Sequence, residues 1–258
     1  MRNAFTIGLR EVKGYFTSPV FYLLATVFLG IMGFITTNTL DAFSYASFQA
    51  TQMQMQQQGT PPLNINSDVI EPLLGLMAFI LLLFSPMVTM RSLAEEKKQK
   101  TFPLLLAAPI RLWEIVAGKF IACLSVLGLL VLGSSYFVVF ILVMGQPEMG
   151  PILTGYLGVL LMTGCYISMG LFASSLTDNQ LIAAVITFGF IFLMWIIGWQ
   201  SQSSSPGMAQ ILEYLSLSSH LQNFTRGVID TSDLMYYISF TLFFLFLTHR
   251  VLESRRWR

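Results

Sequence analysis

Six stretches of this chain are apolar on every side of a helical projection. They are residues 20–39, 72–90, 115–144, 152–174, 181–199 and 234–249. A bilayer core of about 30 Å is crossed by roughly 20 helical residues, so each stretch is long enough or nearly so. Lipid offers the backbone no hydrogen-bond partners, so a spanning segment must satisfy itself as helix. The pattern therefore predicts an all-α polytopic membrane protein with six transmembrane helices. The third stretch is long, and its start around Trp113 and Glu114 belongs to the membrane interface.

Two segments outside the six show a one-sided pattern instead. At the N-terminus (1–18), Phe5, Leu9, Val12 and Phe16 form one helical stripe. Arg2, Thr6, Arg10, Lys13 and Thr17 form the opposite one, and Pro19 ends the pattern. This predicts an interfacial helix whose basic face, Arg2, Arg10 and Lys13, meets anionic headgroups or a partner. In the loop 200–233, Met208, Ile211, Leu212 and Leu215 recur at helical spacing, as do Leu217, Leu221, Phe224 and Val228. Two short amphipathic helices are expected there, lying in the interface or dipping into it. Gly227 suits a C-cap, and Asp230 or Asp233 the N-cap of the sixth span. The remaining connections are 40–71, polar and expected to be mobile through MQMQQQGTPPLN, and the turns 145–151 and 175–180.

Composition agrees: 55% of the 258 residues are hydrophobic and only 10% charged, against roughly a quarter charged in soluble domains. Net charge is +1 and uninformative, but its distribution is not. With six spans, 13 of the 14 Lys and Arg fall on the side of the termini, and only Arg226 on the other. The positive-inside rule then puts both termini in the cytoplasm. Three of the five lysines, Lys97, Lys98 and Lys100, crowd into one loop, 91–114, behind Glu95 and Glu96.

Candidate chemistry narrows the function by what is missing. No ionisable residue is expected at depth in the spans before His249, at the edge of the sixth. That argues against proton- or ion-coupled transport and against intramembrane hydrolysis. Cys123 and Cys165 read as small buried hydrophobes, without the spacing of a metal site. His220 reads as a polar residue of an interfacial helix. No G-x-x-x-x-G-K-[ST] motif is present, so catalytic, metal and cofactor-binding residues are all expected to be none, and energy must arrive from elsewhere. The first apolar run lacks a convincing cleavage site and is long enough to span.

The loop 91–114 is the largest cytosolic surface. Glu95 to Lys100 should be a solvated helix extending the second span. Thr101 can cap a short helix over 102–107, with Pro103 in its first turn, and Pro109 ends it. A short apolar helix held in water needs a groove in a partner, or the membrane surface itself.

MRSLAEEKKQKTFPLLLAAPIRLWEIVAGKF resembles the loop after the second span of ABC-2 type transporter permeases, through Arg91, Ala94, Glu95, Glu96, Thr101, Leu104, Leu105, Pro109, Glu114 and Lys119. Lys100 departs from the pattern, which commonly has Gly before the Thr. LREVKGYFTSPVFY (9–22), GLFASSLTDNQLIAA (170–184), YLSLSSHLQNFTRGVIDTSDLMYY (214–237) and the final RRW resemble the gliding-motility-associated permeases most. Nitrous-oxide-reductase maturation permeases share much of the pattern.

The resemblance implies a single ABC-2 transmembrane domain, 1–258, in a bacterial inner membrane. It would be one of two paired permease chains, in a homodimer or heterodimer. A separate ABC ATP-binding subunit would carry the ATP and Mg. A chain with a large extracytoplasmic domain is a further possible partner, and no nucleic acid is implied. The loop would hold a coupling helix docked on the ATPase, with Phe102, Leu104, Leu105 and Leu106 as apolar contacts. Glu95, Glu96, Lys97, Thr101 and Arg111 would supply the polar side. The competing expectations are a membrane anchor or mechanical adaptor of an envelope complex, and an autonomous channel.

Overall fold

The computed structural model describes residues 2–55, 63–99, 110–145, 147–201 and 206–256. Among them the helices are α1 (Arg2–Thr17), α2 (Pro19–Met55), α3 (Glu71–Lys98), α4 (Leu112–Gly133) and α5 (Ser135–Met144). They continue with α6 (Met149–Leu176), α7 (Gln180–Ser201), α8 (Pro206–Leu215), α9 (Leu217–Thr225) and α10 (Thr231–Arg256). A π-turn, Asn66–Ile70, leads into α3. No strand occurs among these residues. Six lengths of helix are long and apolar enough to cross a bilayer, within α2, α3, α4–α5, α6, α7 and α10.

α3 and α6 form the centre and are the most enclosed of the six, whereas α7 and α10 are the least. Small residues bring the central pair together: a Cβ at Gly170 of α6 would overlap the hydroxyl of Thr89 on α3. Leu81, Leu82, Val159, Ile167 and Leu171 are wholly buried between the helices. α4 and α10 also pack on α6, and they meet each other where His249 stacks on Trp113 of α4 at 4.6 Å. The outer faces of α2, α7 and α10 keep Phe34, Leu181, Val185, Leu193, Leu242 and Phe243 exposed, as lipid-facing surfaces must.

Three expectations need correction. The segment after residue 39 is not loop: α2 runs on to Met55, 37 residues, or about 55 Å. Its inner face, Phe21, Leu24, Phe28, Met32 and Thr36, is buried, and nothing from there to Met53 is. Residues 41–55 contain no Pro or Gly to stop the helix, and the hydroxyls of Ser44, Ser47 and Thr51 are satisfied by its own carbonyls three or four residues back. The third apolar run is not one helix either. It breaks between Gly133 and Ser135, where Ser134 Oγ donates to Val131 O at 2.6 Å and meets Tyr156 Oη at 3.2 Å. The third concerns Lys119, a cation expected on the side of the termini: it lies near the start of α4 and is buried rather than solvated.

At the far end from the termini, α8 and α9 are the two short amphipathic helices. Their stripes do different things. Leu217, Leu221 and Phe224 of α9 are buried in the bundle, whereas Met208, Ile211 and Leu215 of α8 are exposed. Gly227, at φ +89°, takes the left-handed conformation that ends α9. Asp230 caps α10 by accepting from Ser232 N at 2.9 Å.

Candidate coupling site

The candidate site lies where α1, the end of α3, the start of α4 and the end of α6 converge, around the loop 91–114. α3 does not stop at the apolar boundary but continues as regular helix through the charged island to Lys98. α4 starts where Arg111 N donates to Glu114 Oε2 at 3.2 Å. α1 lies across the first turns of α4, and its small residues allow the approach: a Cβ at Gly118 would stand 2.8 Å from Ala4 O.

Two lysines fasten this junction. Lys119 of α4 is 1% exposed. Its Nζ donates to Glu11 Oε1 at 2.8 Å on α1, and to Glu96 Oε1 at 2.8 Å and Ser92 O at 2.6 Å on α3. An ammonium has three N–H donors, and here each has an acceptor. Lys97, one residue along, turns the other way. Its Nζ donates to the carbonyls of Ser174 (3.3 Å), Ser175 and Thr177 (3.5 Å) at the C-terminal end of α6. A cation suits that end because its carbonyls lack helical partners. Ser174 Oγ also accepts from Leu93 N at 3.1 Å and Ala94 N at 3.0 Å, pinning α6 to α3. Behind the junction Tyr15 Oη donates to Val88 O at 2.8 Å; burial lifts this phenol well above its usual range and keeps it a donor.

Of the residues read from sequence, Glu96 and Lys97 thus lie inside the junction. Glu95 is half-buried and accepts from Gln99 Nε2 at 3.1 Å. Arg111 is exposed at the start of α4, and Arg10 and Lys13 are exposed on α1. Thr101, Phe102, Leu104, Leu105 and Leu106 lie outside the described residues, as does the side chain of Arg2. The sequence marks Lys119 only as a match to the family pattern and does not mark Glu11 at all. The available signal was a lone cation four residues past Ile115, inside an apolar run, where a charge must be paired.

A second polar cluster, also missed, holds the opposite end. His220 Nδ1 is 2.5 Å from Asp233 Oδ1, and its Nε2 is 3.0 Å from Tyr214 O. Asn223 Nδ2 donates to Asp233 Oδ2 at 2.8 Å, and the ring of Tyr236 stacks on His220 at 4.0 Å. His220 is therefore a buried, paired residue locking α8 and α9 to α10. Among the described residues no cluster of His, Cys, Asp and Glu is arranged to hold a metal ion.

No curated protein matches the chain. A family profile described as ABC-2 family transporter protein matches residues 7–252, from within α1 almost to the end of α10. That span takes in five candidate membrane crossings, all but the last two residues of the sixth, and both sides of the junction, and with it the chain belongs to the ABC-2 transporter family as a multi-pass membrane component.

Proposed function

We propose that this chain is the permease subunit through which a separate ABC ATPase drives a change of access across a bacterial inner membrane, both termini facing the cytoplasm. The observation that carries this is the double lysine clamp. The final turns of α3 are bound to α1 and α4 by Lys119 and to α6 by Lys97, so displacement of the loop that starts at Gln99 is transmitted to four helices together. A ligand shifts such an equilibrium only through differential affinity for its two states. On this reading ATP and Mg act on the partner, and the loop is where their binding energy reaches the membrane. Phe102, Leu104, Leu105 and Leu106 dock in the ATPase, Thr101 caps their helix, and Glu95 and Arg111 flank it. A second permease chain completes the pathway, in a homodimer or heterodimer. The stretches that resemble gliding-associated permeases support that branch over the copper-maturation one, and the neighbouring reading frames test it.

The experiment is reconstitution of the membrane-inserted Leu104→Asp, Leu105→Asp variant with its ATPase. The expected result is loss of stimulated ATP hydrolysis with span insertion intact; undiminished stimulation would overturn the docking.

One observation favours a second output. α2 extends well past its buried segment and carries Tyr45 and Phe48, 72% and 64% exposed. This helix suits contact with a chain bearing a large extracytoplasmic domain, so that the moving spans deliver force to envelope machinery.

A further inference from the structure

α3 is largely enclosed, yet one stripe of it is not: Gly75, Leu83 and Met87 are exposed and Phe79 is half-buried. Where the upper part of this stripe faces α9, at the end of the bundle away from the termini, lies a groove of about 250 Å³. An apolar cavity of about 150 Å³ already admits benzene. The groove is apolar in its depth, where Phe79 meets Met162 of α6, Trp195 of α7 and Leu221 of α9. Phe79 and Trp195, their rings 5.1 Å apart, lie two helical turns, or about 12 Å, below Glu71. Gly75 keeps the groove open, because a Cβ there would meet nothing within 4 Å.

The mouth is polar. Glu71 stands at the start of α3, with Gln222 and Thr225 of α9 beside it. Arg226 is the C-cap of α9: its N–H donates to the carbonyls of Gln222 and Asn223, both at 3.2 Å, before Gly227 turns the chain. Its Nε donates to Glu71 Oε1 at 3.4 Å, with the two side chains 63% and 28% exposed. So open a pair contributes little by itself. It also leaves most of each group unused: among the described residues, neither the Nη groups of Arg226 nor the second oxygen of Glu71 makes a hydrogen bond. Val228 and Ile229, exposed and apolar, follow Arg226 and suit the boundary between headgroups and hydrocarbon. Leu83 lies 12 residues below Glu71, or about 18 Å, against about 15 Å for the hydrocarbon of one leaflet. A cation and an anion side by side thus cap an apolar track about one leaflet deep.

We propose that this groove binds a phosphatidylethanolamine molecule from the leaflet on the side away from the termini. Its phosphate accepts from the Nη groups of Arg226, whose planar fork suits phosphate oxygens. Its primary ammonium donates to the unused oxygen of Glu71. One acyl chain enters over Gly75 and follows the stripe past Phe79 to Leu83. Phosphatidylglycerol offers Glu71 no cation. Phosphatidylcholine offers a quaternary nitrogen without an N–H, which aromatic cages recognise; here the rings of Phe79 and Trp195 lie at the depth of the chain, not of the headgroup. An acyl chain fills the depth of the groove, which the face of a second copy's helix would only roof over. The site requires only that the chain be embedded in a bilayer, and stands whether or not the loop docks an ATPase.

The test uses the full chain in nanodiscs of equal parts phosphatidylethanolamine, phosphatidylcholine and phosphatidylglycerol. Lipid retained through detergent transfer is counted by native mass spectrometry, separately on monomers and dimers. One charge-assisted hydrogen bond that the other two lipids cannot make corresponds to about tenfold enrichment of phosphatidylethanolamine over the bath ratio. Glu71→Ala should bring phosphatidylethanolamine down to parity with phosphatidylcholine, and Arg226→Gln should lower the retention of all three lipids. Gly75→Leu should return all three to the bath ratio by filling the groove, and since leucine favours helix more than glycine, that loss cannot be laid to an unfolded α3. Equal retention of the three lipids by the native chain, preference for phosphatidylglycerol, or enrichment unchanged in all three variants would overturn the proposal. Displacement of the retained lipid by soluble phosphoethanolamine would overturn the lipid as its source. Retention on monomers that is lost on dimers would assign the groove to a second copy instead.

Discussion

Lys119 shows how one buried cation can join three helices of a membrane protein. A buried ammonium is costly unless every donor is met, and removing it strands the two carboxylates gathered around it. Lys119→Met is therefore expected to lower stability by about 3 kcal/mol, toward the low end for breaking a buried pair. Glu11 and Glu96 are still 28% and 22% exposed, so water relieves part of the loss. A thermal melt of the detergent-solubilised protein checks this. Adding Glu11→Gln and Glu96→Gln to Lys119→Met should recover part of the loss, because no carboxylate is then left without its cation. At the other end, Asp233→Ala should cost about 1–3 kcal/mol, since His220 and Asn223 both lose their acceptor. These pairings were only partly legible in the sequence. The charges at 11, 96 and 119 are plain to see, but which of them meet depends on where α1 crosses α4. That crossing is set by Ala4, Gly8 and Gly118, residues without amphipathic signal.

At the scale of the element, hydropathy locates apolar helices well and stops reading where polarity begins. It therefore placed the six crossings but missed the outer third of α2, which is polar, unpacked and helical through local propensity. It also read the 115–144 run as continuous, because a Gly-Ser-Ser interruption at Ser134 removes little hydropathy. The paired short helices α8 and α9 were visible from their spacing. Which apolar stripe would be buried was not, since that is decided by the surface each helix meets. Two outcomes follow for helices. Gly170→Val should separate α3 from α6 and destabilise the bundle by about 1–3 kcal/mol, read by the same melt. Tyr45→Ser with Phe48→Ser should leave the melt within about 0.5 kcal/mol, because both side chains are exposed. If α2 receives an extracytoplasmic partner, recovery of that partner in pull-downs should fall.

For the whole molecule, six crossings and the lopsided charge predict one topology. The native cysteines, Cys123 and Cys165, are both buried, so labelling of introduced thiols has little background. Ser254→Cys should react with an impermeant reagent from the side of the termini only, and Thr51→Cys from the opposite side only. Reaction of both from one side would contradict the six-span reading. The fold class could be reached from composition and periodicity because lipid permits so few alternatives. The junction could not, because it is built from charges that the sequence presents as a solvated island, while the structure turns Glu96 and Lys97 inward. The central claim is that this chain works through an ATPase engaged by the segment 91–114. The most direct measurement is a mild-detergent pull-down of the full chain from its own membranes, with partners identified by mass spectrometry. The prediction is an ABC ATP-binding protein recovered with the native chain and lost with the Leu104→Asp, Leu105→Asp variant. Recovery of no such protein, or equal recovery with both chains, would contradict it.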